Sequence, residues 1–168
     1  MIFYKKKSNL PTVPHSEAVD EALCFGWIDS KAKPVDKDTF MQFFSRRKGN
    51  NVCSKANKEK VERLINENLI IKAAYDIIET AKQNSSWTIL DEAEALVIPK
   101  DLEEEFQRRT NSKTYFLRLS RLDKRNILQW LVLSKREETR QKRIVEIVEY
   151  ADQNQKPKQY RGCKNGEV

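Results

Sequence analysis

The stretch Leu23-Cys24-Phe25-Gly26-Trp27-Ile28-Asp29-Ser30 constrains the fold more than any other. Helical apolar spacing ends inside it and strand-like alternation begins, with Gly26 at the changeover. Upstream, Ala18, Val19, Ala22 and Leu23 fall at i, i+1, i+4, i+5, which predicts a helix over about 16–25. Pro14 lies near its start, and Glu17, Asp20 and Glu21 sit in its early turns, where carboxylates suit the helix dipole. Downstream, Trp27 to Pro34 alternates loosely as a strand, and Pro34 assigns its far end to a sheet edge. Asp36-Lys37-Asp38 is a turn, and the aromatic and β-branched run Thr39–Phe44 reads as the return strand of a hairpin. With a short strand over residues 2–6 this makes a small antiparallel sheet, one face of it covered by the helix. Leu23, Cys24, Phe25 and Ile28 are expected in the core; Trp27 and Asp29, two residues apart, share one face of the strand.

From Ser54 onward the patterning is helical. Ser54 is a suitable N-cap for a helix over about 55–67, and a second helix spans about 71–83. The loop Asn84-Ser85-Ser86 follows, anchored by Trp87. Residues 88–98 carry helix formers without a clear stripe. Pro99 opens a helix with Asp101, Glu103, Glu104 and Glu105 in its first turns, and Asn111 is expected to cap a short helix after it. Ser120-x-x-Asp123 resembles a capping box with Asp in place of Glu, and the last helix, Glu137 to Asp152, turns Ile144, Ile147, Val148 and Ala151 inward. The fold class is therefore α+β and predominantly helical: a small antiparallel N-terminal sheet with a covering helix, followed by a multi-helix C-terminal part. The division expected is sheet plus helix over 1–51, a helical region over 52–152 packed on it as one compact unit, and a polar, disordered tail over 153–168.

Composition excludes several function classes. The three cysteines, Cys24, Cys53 and Cys163, are odd in number and lack CxxC spacing, and His15 is the only histidine, so an ordinary structural zinc site within one chain is ruled out. Reduced thiols point to a cytoplasmic protein. The start, Met1 to Lys7, has an apolar run followed by its charges, the reverse of a signal peptide. No segment approaches the roughly 20 apolar residues of a membrane span. The sequence holds no GxSxG, HExxH, phosphate-binding glycine loop or dinucleotide fingerprint, so it carries no catalytic motif and implies no cofactor.

Three groups of residues invite a chemical role. Asp29 beside Trp27 can sit in a partly buried pocket, or on the solvent side of an edge strand paired with Lys31 or Arg46. Arg46-Arg47-Lys48 follows the aromatic strand of Phe40, Phe43 and Phe44, and basic residues beside exposed aromatics can hold phosphates or single-stranded bases; if those rings are core, only the arginine fork remains. The third group is cationic. Residues 106–143 carry 12 basic and 3 acidic side chains of a chain whose net charge is +7. There Arg121 and Arg125 fall at i, i+4 on one helix, and Arg136, Arg140 and Arg143 at i, i+4, i+7 around the next. Two such ridges can clamp an acidic partner or nucleic acid, or form a solvated helix surface. His15, at a loop-to-helix junction with no partner motif, reads as a capping or surface residue.

Several ordered motifs resemble a known family. They are Phe3-Tyr4-Lys5-Lys6, Glu17-Ala18-Val19-x-Glu21-Ala22-Leu23-Cys24-Phe25-Gly26-Trp27-Ile28-Asp29-Ser30, Phe44-Ser45-Arg46-Arg47, Ser54-x-x-Asn57-x-x-x-Val61-x-x-Leu64, Leu128-x-Trp130-Leu131 and Lys135-Arg136-x-Glu138-Thr139-Arg140-x-x-Arg143-Ile144. Over residues 2–150 the chain is similar to the YdeI/OmpD-associated, or bacteriocin-protection, family. The resemblance implies protection against bacteriocins or cationic peptides and association with a porin, and no enzymatic activity goes with it. Against the family pattern the chain starts inside the first strand, has Cys53 where a Trp is usual and His15 where a Tyr is usual. The missing leading helix would leave apolar surface open to a partner chain or a homodimer.

Three functions are expected on these grounds. The first is a non-catalytic bacterial interaction or stress-protection protein. The second is a small-molecule binder or enzyme with a site at Trp27, Asp29, Arg46 and Asn57. The third is a nucleic-acid binder through Arg121, Arg125, Arg136, Arg140 and Arg143.

Overall fold

The computed structural model describes residues 1–160. The chain divides into two compact units, Met1–Thr88 and Ile89–Val168. Each has its own apolar core, and α+β is the fold class.

The first unit is built on a three-stranded antiparallel sheet in the order β1 (Ile2–Tyr4), β3 (Thr39–Arg46), β2 (Trp27–Pro34). Phe3 pairs with Phe40 across β1 and β3, and Trp27, Ile28 and Asp29 pair with Arg46, Ser45 and Phe44 across β2 and β3. A bulge between Asp29 and Ala32 shifts the register of β2. Alternation along β3 sends Phe40, Gln42 and Phe44 to one face and Met41, Phe43 and Ser45 to the other. The helix α1 (His15–Cys24) lies on the first of these faces, where His15 packs on Phe3 and Phe40.

Gly26 makes the turn from α1 to β2 at φ +73°. A Cβ there would lie 3.2 Å from Ala74 Cα, so glycine serves both the left-handed conformation and the close approach of α3 (Lys72–Gln83). Around it the chain is tied by backbone bonds: Gly26 N–H donates to Leu23 O, Arg47 N–H to Gly26 O and Ile71 N–H to Cys24 O. The helix α2 (Lys55–Asn66) begins at Ser54, whose Oγ accepts from the Asn57 N–H as the sequence requires. It ends on Asn68 in the left-handed region, at φ 58°. Asp20 on α1 holds both Lys60 and Arg63 of α2 at 2.5 Å.

The core of this unit gathers Val19, Leu23, Cys24, Cys53, Val61, Leu64, Ile78, Ala81 and Trp87. Residues 52–88, expected with the helical remainder, thus pack with the sheet, because the apolar stripes of α2 and α3 have no other partner in the unit. Phe25 departs from expectation. It is 51% exposed, since the helix has ended and its side chain no longer follows the buried stripe. Ile28 is only half-buried. Conversely Arg47, read as part of a basic loop, is 4% exposed. Its guanidinium lies 5.3 Å from the Trp87 ring and donates to Cys53 Sγ and Asn51 O.

The second unit consists of α4 (Asp91–Glu94), α5 (Lys100–Gln107), α6 (Thr110–Arg118), α7 (Arg121–Val132) and α8 (Glu137–Asp152). Its core is Leu102, Phe106, Phe116, Ile127, Leu128, Leu131, Ile144, Ile147 and Val148 around Ala93. The ambiguous stretch 88–98 holds the one-turn α4, which explains its weak periodicity. Asn111 does not cap α6; Arg109 is the N-cap, and Asn111 Nδ2 donates to Asp152 O at the end of α8. Ser120 does cap α7, accepting from Asp123 N–H and donating to the Asp123 carboxylate. Residues 153–160, which fall in the stretch expected as a disordered tail, include a short helical turn over Lys158–Tyr160. Pro157 is buried, and the Tyr160 hydroxyl donates to Asn126 O at 2.9 Å while its ring meets Trp130 edge-on. Residues 161–168, with Cys163, lie outside the described residues.

Candidate functional site

The first unit carries a groove of about 530 Å³ between α1 and the inner face of the sheet. That volume falls within the range of small-ligand and peptide-side-chain sites. Five residues of α1 and its C-cap line it: Glu17, Ala18, Glu21, Ala22 and Phe25. They recur at helical spacing, so one side of α1 forms the wall. Trp27 of β2 and Phe44 of β3 form the opposite wall, and Met1 and Val13 close the end. The surface is apolar apart from two carboxylates, Glu17 and Glu21, four residues apart and exposed at the rim. Neither engages in an ion pair among the described residues. Trp27 and Phe25 stand 44% and 51% exposed, so both rings present area to an incoming molecule.

Of the four residues read as a ligand site, only Trp27 lines this groove. Asp29 shares its strand face but turns to α1, where its Oδ2 lies 3.9 Å from His15 Nε2. The pairing with Lys31 or Arg46 is thereby replaced by one with the single histidine. Arg46 is the cross-strand neighbour of Trp27 and is exposed. Asn57 stands in the first turn of α2, where its backbone N–H completes the Ser54 cap. The four residues are therefore spread over β2, β3 and α2.

The arginine ridges of the second unit are largely engaged within the unit. Arg140 grips Asp101 with two bonds, Nε to Oδ2 at 2.5 Å and Nη2 to Oδ1 at 2.9 Å. This guanidinium holds the Asp101 carboxyl below the usual carboxylate range. Arg143 lies 4.8 Å over the Trp130 ring and donates to Trp130 O. Arg125 lies 3.8 Å from Glu94, and Arg121 donates to the carbonyl of the same residue. Arg136 is exposed at the N-cap of α8. Four of the five arginines are thus engaged by groups of their own unit, and Arg136 is the fifth.

Sequence reasoning missed Glu17, Glu21, Phe25 and Phe44 as a set. The one available signal was that Glu17 and Glu21 lie on the same helical side as Ala18, Ala22 and Phe25. Among the described residues no group of three His, Cys, Asp or Glu side chains is placed to hold a metal ion, and no helix is long and apolar enough to cross a membrane.

Comparison with known proteins divides the chain in a similar way. Residues 95–154 match the family described as Bacteriocin-protection, YdeI or OmpD-Associated. Residues 1–77, which hold most of the N-terminal motifs, match a separate domain of unknown function, DUF8412. No curated protein and no solved structure matches significantly.

Proposed function

We propose, taking the match of residues 95–154 to the YdeI or OmpD-associated proteins as premise, that this chain is a non-catalytic bacterial protection protein that acts by binding. The ligand class we assign is a cationic amphipathic peptide, and the site is the groove of α1, Trp27 and Phe44. The observation that carries this reading is the pairing of an apolar groove with two unpaired rim carboxylates. A peptide with an apolar face and lysines along its border satisfies both features at once. Its apolar side chains bury against Phe25, Trp27 and Phe44, and its ammonium groups reach Glu17 and Glu21. The cytoplasm is the compartment we assign, since Cys24 and Cys53 are free thiols. Association with a porin enters only through the family's description and is a further part of the proposal.

Calorimetric titration of the full chain separates this reading from its rivals. A lysine-rich amphipathic peptide is expected to bind with micromolar affinity, and the same peptide with its lysines replaced by glutamate is expected not to bind. Equal binding of both peptides, or of neither, removes the reading.

A further inference from the structure

The sheet of the first unit has a second face, opposite the groove, and its chemistry is different. Register and alternation place Ile2, Tyr4, Ile28, Met41, Phe43 and Lys33 on it. An open sheet face is ordinarily polar. Here Ile2 is 60% exposed, Tyr4 41% and Phe43 43%. The strand positions on this face include no carboxylate. Lys33 Nζ stands 5.9 Å from the Phe43 ring centre. At the end of the sheet where β1 leaves, Lys6 and Lys7 and the hairpin residue Lys37 are exposed as well. Two acids flank Lys37 in the hairpin turn: Asp38 is half-buried, and Asp36 is turned into its own loop, where it accepts from the N–H groups of Asp38 and Thr39.

We propose that this outer face binds single-stranded nucleic acid, with bases stacking on Tyr4 and Phe43 and phosphates held by Lys33 and the lysines at the sheet end. The two rings are separated by four strand residues along the sheet, roughly 14 Å, with Ile2 and Met41 as apolar floor between them. Nucleic acid is the occupant favoured by the combination of exposed rings and a lysine on strand positions that hold no carboxylate, with further lysines at the sheet end. A second copy packed face to face would set Lys33 against a surface that offers it no carboxylate. The engaged arginines of α7 and α8 play no part in the proposal, and neither does the groove, so either site can fail without the other.

The test is fluorescence anisotropy of a labelled oligothymidine with the full chain at 50 and 200 mM salt. Binding is expected, weakening about 20-fold over that range if three phosphates are neutralised. Tyr4→Ala and Phe43→Ala are each expected to weaken it about tenfold. Phe43→Leu, which keeps an apolar side chain but no ring, is expected to weaken it as Phe43→Ala does. Lys33→Gln is expected to reduce the salt dependence; this measurement decides the matter if the ring variants do not fold. The proposal is overturned by no binding at 50 mM salt, or by binding that ignores Tyr4, Phe43 and Lys33 but is lost in Arg121→Gln or Arg136→Gln. It is equally overturned if anionic lipid vesicles bind and the oligonucleotide does not, or if light scattering shows a dimer that Phe43→Ala dissociates.

Discussion

Gly26 concentrates two demands on one residue. Its φ of +73° lies where a Cβ is costly, and a Cβ would press on the backbone of Ala74 at 3.2 Å. Gly26→Ala is expected to destabilise the first unit by about 1–3 kcal/mol, read from the urea midpoint followed by far-ultraviolet circular dichroism. An unchanged midpoint would contradict the close approach of α3. Arg47 makes the opposite kind of prediction. It is buried with no carboxylate partner among the described residues, and its contacts are a thiol, a carbonyl and the Trp87 ring. A charge so placed is a poor source of stability. Arg47→Met keeps the packing on Trp87, so its stability is expected within about 1 kcal/mol of the parent or above it. Arg47→Ala leaves a void and is expected to lose about 2 kcal/mol or more. If Met costs as much as Ala, the guanidinium contributes through its hydrogen bonds after all.

At the scale of elements, α5 and α8 are joined by Asp101 and Arg140. The Arg140 guanidinium lowers the Asp101 carboxyl, so this contribution is fully present above the ordinary carboxylate range and is lost as pH falls through the lowered folded value. Arg140→Gln is expected to cost about 1–2 kcal/mol near neutral pH, because both groups are partly exposed. The gap to the parent should begin to narrow as pH falls below about 4, where Asp101 is protonated in the variant and in both unfolded chains. It should close as pH passes the lowered value at which the folded parent's Asp101 is protonated. Thermal melts of the two proteins across pH 2–7 check the sign, and a gap that widens in acid would contradict it. Elements were also where the sequence was most legible. Ser54, Ser120 and Gly26 mark boundaries through local hydrogen bonds and backbone conformation, and local chemistry needs no knowledge of distant residues. Asn111 misled because a distant carbonyl, Asp152 O, claimed its side chain. Arg140 likewise found a partner 39 residues away, which no helical spacing reveals. Phe25 looked like core because it continues an apolar run, but the end of α1 turned it outward into the groove.

Across the whole chain, the basic excess was legible and its use was not. Arg125, Arg140 and Arg143 point to carboxylates, a ring and a carbonyl of their own unit. The groove depends on Met1, Val13, α1, Trp27 and Phe44 meeting in space, and sequence separation hides that meeting. The central claim is that this groove uses Glu17 and Glu21 to select cations on an apolar ligand. The measurement closest to it is the emission of Trp27, half-exposed on the groove wall, during titration with a lysine-rich amphipathic peptide. The account predicts a saturable blue shift that is absent in Trp27→Phe. It also predicts an affinity about tenfold weaker when Glu17→Gln and Glu21→Gln are combined, a loss of about 1.4 kcal/mol. A double variant that stays folded and binds as tightly as the parent would contradict it.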